Sequence, residues 1–267
     1  MDVKEYNRRA WNHCVEIENR WTVPVDAEAV ARARQGAFDV LLTPIQTVPR
    51  HWFPPSVRAL DLLALASAGG QQGPLFAAAG ARVTVYDASE AQLGQDRLVA
   101  DREGLELRTV QGDMADLGAF DDESFDLVFH PVSNIFVEDV RPVWREAARV
   151  LRPGGTLLAG FVNPLYFLFD DDALNRGELT VRYEVPYADP EQLPTAKLEA
   201  FMAQNEPLCF GHTLTDQIGG QLDAGLALID LFEDRWGDGK VLDERIATFV
   251  ATRSVKLVTP PRGRGFD

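Results

Sequence analysis

Residues 66–73 read Ala-Ser-Ala-Gly-Gly-Gln-Gln-Gly, between an apolar run at 60–65 and an alanine-rich stretch that starts at Pro74 and ends at Gly80. Small side chains let a backbone turn sharply and approach a ligand closely. Proline suits the first turn of a helix and glycine its C-terminal cap. A buried strand, a tight loop and a helix N-terminus, in that order, offer a place for a polar or anionic group. The same pattern also makes an ordinary strand-to-helix turn, so the loop alone is unspecific. Asp87, Asp113 and His130-Pro131-Val132-Ser133-Asn134 each follow a further strand-like run. Carboxylates accept hydrogen bonds, and an imidazole can exchange a proton near neutral pH. Asp170-Asp171-Asp172 has the residue types of a metal site but no histidine or cysteine beside it. It reads as a solvated loop, and no metal is expected.

The elements that must position these residues follow from periodicity. Tyr6, Ala10, Cys14, Ile17 and Trp21 recur at helical spacing and could form one apolar stripe, and Asp26 and Gly36 bracket a second helix. A proline-rich linker at 43–55 carries His51, Trp52 and Phe53, either packed against the main domain or serving as a lid. Strands are expected at 60–65, 82–86, 106–111, 125–129 and 156–161. Between them, Ser89 with Gln92 opens a helix in capping-box spacing that Gly104 closes, and Asp139 caps another that stops at Arg152-Pro153-Gly154-Gly155. Strand–helix alternation implies parallel βαβ units, whose right-handed crossovers put every strand C-terminus on one edge. The loop at 66–73, Asp87, Asp113 and residues 130–134 should therefore converge there.

Residues 163–225 break the alternation. They read as a strand at 178–187, a helix at 193–204 and a helix at 212–224 weakened by Gly219-Gly220. Two strands, 226–232 and 246–257, can then pair antiparallel. The division expected is a helical lead-in or lid at 1–55, an α/β core at 56–162, an inserted cap at 163–225, a closing strand pair at 226–258 and a frayed tail at 259–267.

The formal charge of −15 and pI near 4.7 argue against a nucleic-acid partner or an anionic membrane surface, since both need concentrated basic side chains. A small molecule fits better. The two cysteines, Cys14 and Cys209, lie far apart and read as reduced thiols of a cytoplasmic protein. The sequence shows no signal-peptide pattern and no apolar run long enough to span a bilayer.

Several runs together resemble the class I S-adenosylmethionine-dependent methyltransferases, closest to their broad type 11 group. They are Ala64-Leu65-Ala66-Ser67-Ala68-Gly69-Gly70, Asp87, Gly112-Asp113-Met114, Ser124-Phe125-Asp126-Leu127-Val128 and Arg149-Val150-Leu151-Arg152-Pro153-Gly154-Gly155, the last being the most specific. The likeness covers about residues 58–162 and the last two strands. It implies a Rossmann-like α/β fold with a mostly parallel seven-stranded sheet, an antiparallel last strand and helices on both faces. It also implies S-adenosylmethionine as cofactor, with direct displacement of its methyl group by a small-molecule acceptor. On this resemblance the cofactor is expected against Ala66, Ser67, Ala68, Gly70 and Gln72, with Asp87 and Ala88 at the ribose. Gly112, Asp113 and Met114 are expected near the adenine, and His130 and Ser133 beside it. His130 is also the candidate general base or orienter. Trp11, Trp21, Asn134, Asn163, Tyr166 and His212 are candidate acceptor contacts.

The first loop departs from the family pattern. Ala64 stands where an acid is usual, and Ala66 and Ala68 where two glycines are usual. Alanine at a position needing positive φ costs about 1 kcal/mol against glycine. A shifted loop with added hydrogen bonds from Gln71 or Gln72 is expected. Two rival readings stand beside this one: a non-catalytic cofactor-binding or scaffold protein, and a nicotinamide-dependent oxidoreductase. The Arg149–Gly155 turn and the closing strand pair disfavour the second.

Overall fold

The computed structural model describes residues 1–67, 69–237, 239 and 241–258. The expected tail at 259–267 and the contribution of Ala68 lie outside that set. In chain order the helices are α1 (Val3–Glu16), α2 (Ala27–Arg34), α3 (Gln72–Ala78), α4 (Glu90–Glu103), α5 (Arg141–Val150), α6 (Asp171–Asn175), α7 (Asp189–Gln192), α8 (Thr195–Ala203) and α9 (Gly220–Asp223). The strands are β1 (Asp61–Leu65), β2 (Arg82–Asp87), β3 (Leu107–Gln111), β4 (Phe125–His130), β5 (Leu151–Val162), β6 (Tyr187–Ala188), β7 (Phe210–Gly211), β8 (Leu226–Asp234) and β9 (Phe249–Lys256). Seven of them form one sheet in the order β3-β2-β1-β4-β5-β9-β8. All pairings from β3 to β5 are parallel, and β9 runs antiparallel to both neighbours.

Period-two alternation distributes β1 between two cores. Leu62 and Ala64 pack with Phe76, Val83 and Phe129 on one face; Leu63 and Leu65 pack with Val128, Trp144 and Ala147 on the other. Both faces being covered explains why β1 reads as a continuous apolar run. Three of the helix boundaries expected from capping residues are present, whereas α5 has Val140, not Asp139, at its N-cap, with Asp139 accepting from Arg141 N at 2.9 Å. The Asp26 carboxylate accepts from Ala29 N at 2.7 Å, Ser89 Oγ accepts from Gln92 N at 3.2 Å, and Gly104 takes φ +63° at its cap.

Several expectations need correction. The apolar stripe of the lead-in is interrupted, because α1 stops at Glu16 and Ile17 is exposed; only Tyr6, Ala10 and Cys14 are buried on it. The turn expected at residues 152–155 is an irregularity inside β5, with the register against β4 jumping between Phe125–Leu151 and Leu127–Thr156. Arg152 there bridges Asp61 and Asp126, each at 2.8 Å, and so ties strand N-termini at the edge opposite the loops. The strand expected at 178–187 shrinks to β6, which pairs only with β7. Gly219-Gly220 does not interrupt the helix at 215–223, which starts with a π turn and continues into α9. A Cβ on Gly220 would stand 2.6 Å from Trp144 Cδ1, so glycine lets this helix close onto α5. That helix packs against the sheet, where Gln221 meets Thr252 and Ser254 of β9, so the break drawn at 225 falls beyond a core element.

Trp52 and Phe53 of the linker are buried in the core, while His51 is exposed. The preceding segment lies directly on the sheet: a Cβ at Gly160 of β5 would come within 2.0 Å of the Leu42 carbonyl oxygen, which accepts from Val132 N at 3.1 Å. Main chain cannot yield as a side-chain tip does. Gly160→Ala is expected to lower the unfolding free energy by about 2 kcal/mol or more. Urea denaturation measures it, and an unchanged midpoint refutes the close approach.

Candidate active site

The loops after β1, β2, β3 and β4 converge on one cavity of about 410 Å³. Ala66, which follows β1, lines it together with Gln71 and Gln72. Ala66 has φ +45°, the left-handed conformation that glycine would hold without strain. The two glutamines act outward from the loop. Gln71 Nε2 donates to Val23 O at 3.0 Å, and Gln72 Oε1 accepts from Leu41 N at 3.2 Å. Val25 N donates to Gly70 O at 3.0 Å. The Gln-Gln pair thus anchors the N-terminal segment to the loop.

Asp87 ends β2 and lines the cavity, its carboxylate accepting from Ser89 N at 2.8 Å. Burial raises its pKa to about 6, opposed by the amides of Ser89 and Ala88. The capping box at α4 is only half closed: Gln92 Oε1 turns away from Ser89 and accepts from Gly69 N at 2.5 Å, so α4 supports the first loop. One turn further, Asp96 is 1% exposed, and burial pushes its carboxyl well above the usual carboxylate range. Gly112, Asp113 and Met114 follow β3 on the cavity wall. Asp113 is already engaged, accepting from Ala115 N at 2.9 Å and pairing with Lys4 Nζ at 2.5 Å. The Asp113 hydrogen bond raises the Lys4 ammonium above the ordinary lysine range.

Lys4 belongs to α1, which covers the cavity. Val3, Lys4, Asn7, Arg8 and Trp11 line it from above. Asn12 Oδ1 accepts from Ser89 Oγ at 2.7 Å and Ala91 N at 3.2 Å, adding a second cap to α4 beside Asp87. The side away from β3 is apolar and aromatic, with Trp21, Leu42, Ile135, Val162, Trp236 and Phe249. Trp236 stands 4.8 Å from Phe249 and 6.3 Å from Trp21 between ring centroids. The Arg20 guanidinium lies 4.2 Å over the Trp21 ring.

Of the residues named from sequence, Ala66, Gln72, Asp87, Ala88, Gly112, Asp113, Met114, Ser133, Trp11 and Trp21 line the cavity. Ser67 and Gly70 stand behind that wall: Ser67 is 1% exposed, and Gly70 holds φ +77° while accepting from Val25. His130 and Asn134 are fully buried and bond each other, His130 Nε2 lying 2.6 Å from Asn134 Oδ1. His212 Nε2 lies 3.0 Å from Asn134 O. Burial lowers the pKa of both histidines. Asn163 accepts from Leu165 N and donates to Ala247 O; Tyr166 donates to Asp171 Oδ1 and packs behind Trp236. His130, Asn134, Asn163, Tyr166 and His212 therefore serve the packing around the cavity rather than its surface. The acid cluster is also spent locally, with Asp170 bonded to Ala173 N and Arg182 and Asp172 paired with Lys197. Lys4, Asn7, Asn12, Leu42, Trp236 and Phe249 carried no local signal, because each acts across more than 75 residues of chain or across the sheet.

A family described as Methyltransferase domain matches residues 63–159. An uncharacterized methyltransferase of Bacillus subtilis (strain 168), YbaJ, is 52% identical over 252 residues, covering 94% of this chain and 98% of that protein. Among solved structures, an S-adenosylmethionine-dependent methyltransferase from Mesorhizobium loti shares the fold with TM-score 0.60 and 20% identity, over 77% of this chain and 94% of its own. A geranyl diphosphate C-methyltransferase from Streptomyces coelicolor A3(2), in complex with Mg2+, geranyl diphosphate and S-adenosyl-L-homocysteine, does so with TM-score 0.58 and 16% identity, over 96% and 99%.

The left-handed alanine yields a direct expectation. Ala66→Gly should raise the unfolding free energy by up to about 1 kcal/mol, the relief at positive φ outweighing the entropy that glycine adds to the unfolded chain. Chemical denaturation reads this difference, and a clear loss of stability in the glycine variant contradicts the strain.

Proposed function

The chain belongs to the class I S-adenosylmethionine-dependent methyltransferases, and on that premise we propose that it methylates a small, largely apolar molecule held in the aromatic end of the cavity. It is an enzyme, and S-adenosylmethionine is its cofactor. The observation that carries the acceptor reading is the division of one cavity into a polar end, at Asp87 and Gly112–Met114, and an apolar end, at Trp21, Leu42, Trp236 and Phe249.

The residues present fit the cofactor. Asp87 offers a carboxylate oxygen at a strand end, the geometry that accepts from a ribose diol. Ala66 and Gln72 form the methionine-side wall, and Gly112, Asp113 and Met114 the adenine side. When bound, the cofactor supplies a sulfonium methyl group that an acceptor lone pair can take by direct displacement. The protein's task is then alignment and exclusion of water, which α1 and the tryptophans perform. No described histidine lines the cavity; its carboxylates are Asp87 and Asp113, with Glu138 and Asp139 at an exposed rim. An acceptor whose nucleophilic atom needs no side-chain base suits such a wall best. The excess of 41 acidic over 26 basic residues speaks against a nucleic-acid acceptor. Two separated thiols, Cys14 and Cys209, suit the cytoplasm. No helix among the described residues is long and apolar enough to cross a membrane.

A screen with methyl-labelled S-adenosylmethionine against apolar and polar small molecules tests the acceptor class; transfer confined to charged, polar acceptors overturns it. Asp87 is tested separately. Asp87→Ala should weaken S-adenosylhomocysteine binding by at least ~1 kcal/mol through lost charge-assisted hydrogen bonds. The carboxyl, with its pKa raised to about 6, accepts charge-assisted bonds from both hydroxyls of a diol only when ionised; protonated, it turns one oxygen into a donor. Affinity in the wild type should therefore fall as pH drops through 6, by at most about tenfold per pH unit, and Asp87→Asn should remove that dependence. Calorimetric titration between pH 5 and 8 reads both, and equal pH profiles for the two proteins sink the ribose assignment.

A further inference from the structure

We propose that His130 is a positioning residue, whose Nδ1–H pins the peptide between Leu65 and Ala66 and so holds the left-handed turn that opens the cofactor loop. The inference rests on the reading of residues 66–73 as the cofactor's methionine-side wall.

The peptide in question is gripped from both sides. Its N–H, on Ala66, donates to Tyr86 O at 2.8 Å and extends the β1–β2 ladder one step past the strand. Its carbonyl, on Leu65, faces His130 Nδ1 at 3.0 Å. The next torsion along the chain is the φ of Ala66, which stands at +45°. An L-residue left to itself escapes that region by rotating the preceding peptide. Here such a rotation breaks two buried hydrogen bonds, so the strained turn persists only while the grip holds.

The protonation of the ring follows from its partners. A main-chain carbonyl can only accept, so the hydrogen sits on Nδ1. The Ser133 hydroxyl lies 3.4 Å from the same nitrogen, but donates to Pro131 O at 2.9 Å and can only accept from the ring. Burial keeps the imidazole neutral, and Nε2 is then an acceptor. At 2.6 Å it faces Asn134 Oδ1, with Asn134 Nδ2 toward Gln217 Oε1. Since amide oxygen and nitrogen can exchange places, a ring with its hydrogen on Nδ1 sets both amides in the opposite sense, Asn134 donating to Nε2 and Gln217 donating to Asn134. Asn134 in turn meets Gln217 at 3.1 Å, and Gln221 links the main chain of Gln217 to Ser254 in β9. With its edge against Trp144, centroids 5.9 Å apart at 88°, the ring is fixed in orientation from behind. It is fully buried and absent from the cavity wall, so it has no path to an acceptor's proton.

Two substitutions separate the nitrogens. In His130→Asn the side-chain amide can take the place of Nδ1 and keep a donor to Leu65; His130→Gln reaches toward Asn134 and gives up that donor. Binding of S-adenosylhomocysteine is titrated calorimetrically for both, for Ala66→Gly, and for His130→Gln combined with Ala66→Gly. His130→Asn should bind within about twofold of wild type, and His130→Gln about five- to tenfold more weakly. In the Ala66→Gly background, His130→Gln should cost about twofold or less, since glycine holds the turn without a grip. An equal loss from His130→Gln in both backgrounds overturns the proposal, as does a loss in His130→Asn matching that in His130→Gln. Amide hydrogen exchange of Ala66 in the ligand-free protein is the second measurement. It should quicken in His130→Gln and not in His130→Asn, and equal rates in all three proteins reject the grip even if a variant binds poorly because it is misfolded. If wild type fails to bind S-adenosylhomocysteine, the loop assignment falls, and the exchange rates alone decide the proposal.

Discussion

β1 has β2 on one side and β4 on the other, both parallel to it. The chain leaves β1 toward β2 and β3, and later returns on the far side toward β4 and β5. Right-handed crossovers then send the loops after β1 and β4 away from each other, opening a crevice at the carboxyl edge of the sheet. The cavity depends on that geometric constraint. Ala66, Asp87 and Asp113 are separated by 20 or more residues, yet they share a wall because each stands at a strand end on that one edge.

The chain builds this crevice with an unusual first loop. Where glycine would be conformationally free, Ala66 is held at positive φ by its surroundings, and the small-residue loop is held in place by side chains from elsewhere: Gln92 from α4, and the main chain of the N-terminal segment through Gln71, Gln72 and Gly70. The loop and the segment over the cavity are thus one hydrogen-bonded unit. Asn12 and Lys4 extend it, joining α1 to the start of α4 and to Asp113. Lys4–Asp113 is an exposed pair, worth little by itself. Asn12 caps a helix end whose amides would otherwise lack partners. The cover over the cavity is therefore tied to the strand-end loops that line it, so order in one supports order in the other.

Histidine 130 shows how position and orientation differ. It is the last residue of β4, at the functional edge. On a strand, though, it shares the face of Val128, which packs under α5 against Trp144, while the residues that reach the cavity come just after it, from Pro131 to Ser133. Both faces of β4 are buried, so a place at its end does not by itself turn the ring toward the cavity. Asn134, Asn163, Tyr166 and His212 likewise spend their polar groups inside the fold, on the His130 and Gln217 side chains, the main chain of Leu165 and Ala247, the Asp171 carboxylate and the Asn134 carbonyl.

Sequence by itself determined the alternation of strands and helices, the mostly parallel sheet and, through the resemblance, the family; the strand order came from the structure. Strand runs, capping residues at Asp26, Ser89 and Gly104, and strand-end acids are local signals, and parallel crossovers turn them into one topology. It also brought Asp87, Asp113 and the alanine-substituted loop to one edge, because those sit at strand ends whatever packs around them. Only the tertiary structure decided what covers the cavity, which side chains face it and which are spent behind it. Lys4 meets Asp113, Asn12 meets Ser89, and Trp236 joins Trp21 across most of the chain. Such contacts have no period and no spacing in the sequence, since they arise from how distant elements pack once the sheet has formed.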